Sequence, residues 1–146
     1  MNAVPSIQRS WREDRLPTIV LVKQWRNFFE AGKAQNPPIA AATASAFFYL
    51  AWSVRSGAPL FRRSAPRSSM LYSTAAILTL GIVPFTVAVM KHTNEELLAK
   101  AKGDPQLSQH ADFEVQSLIS KWITLNGLRS LFPLAGGLAG LIAVLS

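Results

Sequence analysis

The sequence predicts an all-α membrane protein, a bundle of three full transmembrane helices plus amphipathic helices. Residues 34–54, 68–90 and 130–146 carry no charged side chain, which makes uncharged runs of 21, 23 and 17 residues. A helix rises about 1.5 Å per residue, so the middle run alone reaches about 34 Å, enough for a hydrocarbon core of roughly 30 Å. Composition agrees: 49% of residues are hydrophobic and only 16% are charged, against about 25% charged in soluble proteins. With 146 residues the chain has room for one domain. The expected organisation is a disordered polar arm over 1–15, then a membrane domain over 16–146 with spans at about 36–54, 69–90 and 130–146.

The first element is short. Residues 16–22 are apolar but too few to span, and no signal peptide is expected. Residues 16–33 mix apolar and basic types around Trp25, Phe28 and Phe29, the pattern of an interfacial helix with an aromatic anchor. Pro37-Pro38 then reads as the first turn of a span, where proline is tolerated. That span is rich in alanine and ends in Phe47, Phe48, Tyr49 and Trp52, so close helix approach and a far-interface belt are expected. Gly57 and Pro59 should end it.

In the second span, Pro84 removes one backbone bond and should kink the helix, freeing the Leu80 carbonyl. The kink serves packing or a widened pocket. Beyond it, Thr93-Asn94-Glu95-Glu96 has the capping-box form, so a short polar helix is expected from Thr93 to about Lys102, closed by Gly103, Asp104 and Pro105. From Asp112, the residues Val115, Leu118, Ile119, Trp122 and Leu125 follow helical spacing. This helix should bend near Gly127 and restart at Pro133, with Gly136 and Gly140 forming a G-x-x-x-G contact face in the last span.

Charge bears on orientation. The formal net charge is +7, and because the basic residues lie between apolar spans, anionic lipid rather than nucleic acid is the expected partner. The 55–67 linker holds Arg55, Arg62, Arg63 and Arg67 and no acid, which favours the cytoplasm, although the six basic residues before Ala34 compete. Cysteine is absent, which excludes disulfides, thiolate metal sites and a cysteine nucleophile. No nucleotide-binding or metal-ligand motif occurs, and His92 and His110 alone make a poor metal site.

Few polar residues are placed to carry chemistry. Trp122, Asn126 and Arg129, at i, i+4 and i+7, share one stripe of a continuous helix as the chain enters the membrane. They read as a functional group or as a belt tryptophan and a snorkelling arginine, and spacing alone favours the second. His92 and Asn94 lie at the mouth of the second span. His92 is a candidate base near neutral pH, or simply solvated. His110, in a polar loop, is a weaker candidate.

These residues also carry a resemblance. Trp25 with Phe28-Phe29 and Gly32 matches a W-x-x-x-(F/Y)-x-x-G pattern. Ile82-Val83-Pro84-Phe85-Thr86, followed by Met90-x-x-Thr93-Asn94-x-x-Leu97, matches a central signature. Lys121-Trp122-x-x-Leu125-Asn126-x-x-Arg129-Ser130, then Pro133-Leu134-x-Gly136-Gly137, matches a C-terminal one. In order and spacing, over 16–146, the chain resembles the fungal anthrone oxygenases, small membrane proteins that normally have four spans, the first being truncated here. The resemblance implies oxidation of a polyketide anthrone to an anthraquinone by molecular oxygen without an added cofactor, in secondary metabolism. It carries Asn94, Trp122, Asn126 and Arg129 into the site. Asn94, Asn126 and Arg129 would hydrogen-bond the developing oxyanion, His92 would be the base, and Trp122, Phe85 and Trp25 would bind the rings. Expected partners are an aromatic polyketide substrate and membrane lipid, with a homo-oligomer allowed, in an intracellular membrane such as the endoplasmic reticulum. A non-catalytic membrane scaffold, or a degenerate family member, is the alternative reading.

Overall fold

The structure, a computed structural model, describes residues 5, 6, 9, 17–58, 67–102 and 109–145. Among them every regular element is helical: α1 (Thr18–Ser53), α2 (Ser68–Leu80), α3 (Ile82–Phe85), a π-helical turn (Thr86–Met90), α4 (Lys91–Lys102) and α5 (Gln109–Leu145). Most of the 1–15 arm, the 59–66 part of the linker and the Gly103-Asp104-Pro105 stop lie outside the described residues.

Two helical stretches, Ser68–Lys102 and Asp112–Leu145, are long and apolar enough to cross a membrane. Only 22% and 17% of their most apolar windows are buried, so their apolar surface faces outward, where lipid rather than a protein core can cover it. The alanine-rich stretch 36–54 is helical but is not one of the two. Alanine carries little apolar area, and Asn36, Thr43, Ser45 and Ser53 dilute the rest.

Three local expectations are corrected. Pro37-Pro38 does not start a helix but lies inside α1. Proline's fixed φ is helical, and its cost is the lost bonds to the carbonyls of Lys33 and Ala34, which lie on an exposed stretch. Thr93 is not an N-cap. Helix runs from the π-turn straight into α4, so the N–H groups a cap would serve already have a preceding turn, and Thr93 is 1% exposed. Nor does α5 restart at Pro133, which lies inside one helix, and it takes in the backbone of His110, expected in a loop. Around Pro84 the helix is irregular: it is interrupted at Gly81, whose N–H is shared between the carbonyls of Ile77 (3.0 Å) and Leu78 (3.1 Å), and a π-turn follows two residues after the proline.

The chain divides into two compact units, Met1–Gln35 with Val87–Gly127, and Asn36–Thr86 with Leu128–Ser146. In the second unit Ala51, Tyr72 and Ala143 form a buried cluster, with Phe47, Val54 and Leu71 packed against it. The predicted glycine face is real. A Cβ on Gly136 would lie 2.9 Å from the Ala75 carbonyl, and one on Gly140 would meet the Phe47 ring. Hydroxyls add polar contacts between helices: Ser69 Oγ donates to the Ala51 carbonyl at 3.0 Å and Ser68 Oγ to that of Ala143 at 3.4 Å. Other hydroxyls satisfy themselves locally. Thr43, Ser53, Ser73, Thr74, Thr79, Thr86 and Thr124 each donate to the carbonyl four residues back, which lets a polar side chain sit in an apolar phase.

Candidate functional site

The first unit is built from the start of α1, from α4 and from the first half of α5. Its buried apolar residues follow helical faces: Leu21, Val22 and Trp25; Met90, Leu97 and Ala101; Val115, Ile119 and Trp122. Lys100 Nζ and Glu114 Oε2, 2.6 Å apart, link α4 to α5 near the surface. Within this apolar unit lies a small group of aromatic and polar side chains.

At its centre is a hydrogen bond between two buried residues. The indole N–H of Trp122 on α5 donates to Oδ1 of Asn94 on α4 at 2.9 Å. An indole N–H can only donate, so the amide atom facing it must be the oxygen. The amide NH2 of Asn94 is thereby left to donate elsewhere. Trp25 on α1 meets the Trp122 ring edge-on, with centroids 5.9 Å apart, and stacks on Phe29 at 5.2 Å. This arrangement buries Trp25 completely, so it is a core residue of the unit and not the interfacial anchor expected from its neighbours.

Three polar atoms of the same unit are buried without a hydrogen-bond partner among the described residues: Trp25 Nε1, Thr93 Oγ1 and Asn126 Oδ1. Such atoms are rare in folded proteins because each forfeits its hydration for nothing. A donor, a hydroxyl and an acceptor buried in one apolar unit make it the most polar-rich interior among the described residues.

The structure therefore brings Trp25, Asn94 and Trp122 together, with Asn126 one turn beyond Trp122 on α5. It does not bring His92 to them. His92 and Asn94 are two residues apart on α4, hence about 200° apart around the helix. The His92 side chain is 78% exposed, its Nδ1 lying 3.1 Å from Oε2 of Glu96. Phe85 and Arg129 belong to the second unit. Phe85 packs against Phe132 at 5.5 Å, and Arg129 is half-buried. Thr93 was hidden from sequence reasoning by its resemblance to a cap. The burial of Trp25 was signalled by Leu21 and Val22, four and three residues before it on one helical face. No three His, Asp or Glu side chains gather among the described residues in a way that could hold a metal.

Residues 25–139 match the model of a family described as anthrone oxygenase. The chain is 34% identical to the anthrone oxygenase encC of Aspergillus fumigatus, over 98% of this chain and 80% of that protein. It is 32% identical to the anthrone oxygenase ptaC of Pestalotiopsis fici, over 81% of this chain and 80% of that one. With the noranthrone monooxygenase of Aspergillus flavus it shares 33% identity, over 85% of this chain and 56% of the relative. No solved structure matches. The match contains Trp25, Asn94, Trp122 and Asn126, and on its extent the chain belongs to the anthrone oxygenase family.

Proposed function

We propose that this chain oxidises a polyketide anthrone to the anthraquinone with molecular oxygen and without an added cofactor, in fungal secondary metabolism. The observation that carries the reading is the buried pair of Trp122 and Asn94 beside Trp25, in a chain of this family. The chemistry asks little of a protein. The CH2 between the rings of an anthrone is acidic, because losing its proton turns the carbonyl opposite into a phenolate. That anion reduces oxygen and forms a C–O bond, giving a carbon-bound hydroperoxide, which loses water to leave a second carbonyl. One CH2 and one O2 become one C=O and one H2O, so no outside reductant is needed.

The protein's share is to hold the flat, mostly apolar molecule and to hydrogen-bond the oxygen as it becomes negative. Asn94 is the donor this geometry favours, through the NH2 that its bond to Trp122 leaves open. Asn126 and Arg129 enter as further donors from the signature they occupy. With His92 paired to Glu96 on the exposed face of α4, the proton goes to a base from solvent. We further read α1 as a third span, making a multi-pass protein of an intracellular membrane such as the endoplasmic reticulum.

Oxygen uptake by membranes containing the chain, given emodin anthrone and corrected for spontaneous oxidation, tests the reading. A rate well above control membranes is expected, with Asn94→Ala lowering kcat by about 10²-fold, the usual loss for one oxyanion donor. No excess over control membranes would sink it.

A further inference from the structure

We infer that Trp122 is a positioning residue, which acts on the substrate through Asn94 rather than by stacking on the rings itself. The inference rests on the oxygenase reading for the identity of the oxygen that Asn94 serves. Trp122 is 7% exposed and packs T-shaped against Trp25, so little of its ring is open to a ligand. Its one polar group is spent on Asn94 Oδ1.

That bond sets two properties of the amide. It fixes which end of the side chain is oxygen, because a donor cannot face the NH2. It also holds the amide plane, since an asparagine side chain without a partner turns broadly about its terminal torsion. Both matter to a donor that must meet a developing charge without reorganising. Polarisation adds to them: an amide whose oxygen accepts a hydrogen bond has more acidic N–H groups, hence better donors. The neighbouring orphan atoms, Trp25 Nε1 and Thr93 Oγ1, show what happens to polar groups in this unit that lack such a partner. Asn94 differs from them because α5 supplies the indole.

The test compares the full chain with two forms that lose the indole N–H and keep an aromatic ring. One is Trp122→Phe. The other carries benzothienylalanine at 122, a near-isostere of tryptophan with sulfur in place of N–H, which guards against a packing defect in the first. The first readout is the carbonyl stretch of 9,10-anthraquinone, 13C-labelled at its carbonyls and bound to detergent-solubilised protein. A donor to that oxygen lowers the frequency. The wild-type shift should vanish in Asn94→Ala and shrink and broaden in both Trp122 forms. The second readout is turnover. In both Trp122 forms kcat should fall about tenfold, less than on deleting a donor, with KM within twofold. In an Asn94→Ala background the Trp122 change should add no further loss, as for two residues acting as one unit.

An unshifted wild-type band, or a Trp122 form whose band matches wild type, overturns the inference. So does a Trp122 form that raises KM and leaves kcat unchanged, since that is the mark of ring binding. Wild-type membranes with no oxygen uptake, together with a band shift that depends on both Asn94 and Trp122, would leave the positioning role standing and remove the oxygenase reading instead.

Discussion

Asn94 can offer a ligand only N–H groups, since its carbonyl is taken by Trp122 and the residue is 7% exposed. Its neighbours on α4 fare differently. Thr93, one residue earlier, is buried with a hydroxyl that has no partner among the described residues, unlike the many Ser and Thr that donate to the carbonyl four residues back. Its own such carbonyl, that of Val89, lies in the π-turn, where backbone geometry departs from the α-helix. Valine has nearly the shape of threonine and no hydroxyl to desolvate. Thr93→Val should therefore raise the ligand-free protein's resistance to thermal unfolding in detergent, by about 1–3 kcal/mol, the cost of an unsatisfied buried group. An unchanged or lower melting point would mean that the hydroxyl has a partner after all. His92, two residues before Asn94, points the other way and is paired with Glu96. His92→Ala should leave kcat with emodin anthrone within twofold. A loss of tenfold or more would restore it as the base.

Among the elements, the glycines of α5 give the sharpest contrast. Gly136 lies against the backbone of α2, where an added Cβ would come within 2.9 Å of the Ala75 carbonyl and 3.0 Å of Thr79 Oγ1. Gly137, the next residue, has nothing within 4 Å of such a Cβ. Gly136→Ala should cost about 1–3 kcal/mol by overpacking, whereas Gly137→Ala should be neutral or slightly stabilising because alanine is the better helix former. Thermal unfolding of the two variants in the same detergent checks this, and equal melting points would count against the packing. The G-x-x-x-G face was legible in the sequence because small residues at i and i+4 admit few other uses in an apolar helix. The Thr93 cap and the Pro37-Pro38 start were misread for a shared reason. Both signals are local, yet the same residues can be accommodated inside a longer helix when apolar sequence continues on both sides. The sequence marks were still meaningful. Pro37-Pro38, the Pro84 segment and Gly127 all lie within a few residues of the points where the chain passes from one compact unit to the other. Of the candidate site, the motifs that carry the resemblance singled out Asn94, Trp122 and Asn126. The indole–amide bond was not, because 28 residues separate its partners and no periodicity records which faces of α4 and α5 meet.

For the whole molecule the quantity to measure is how many of its helices cross a membrane. Ser68–Lys102 and Asp112–Leu145 are apolar enough by composition, whereas α1 owes its case to other features. Its second half exposes Ile39, Phe48, Tyr49 and Trp52, a costly surface to leave in water. At its C-terminal end the Arg55 guanidinium sits 4.8 Å from the Trp52 ring centroid, the kind of cation and aromatic pair that suits a membrane–water boundary. The arginines of the 55–67 linker then resist translocation. If α1 spans, the chain crosses three times and its ends lie on opposite faces, with the linker and the C-terminus in the cytoplasm. If α1 lies along the surface, the chain crosses twice and both ends share a face. Glycosylation acceptor sites added in turn beyond each terminus, in a microsomal translation assay, separate the two. Modification of the N-terminal site alone is the expected result. Modification of both or neither would reduce α1 to an interfacial helix, and modification of the C-terminal site alone would keep three spans but reverse the orientation drawn from the linker.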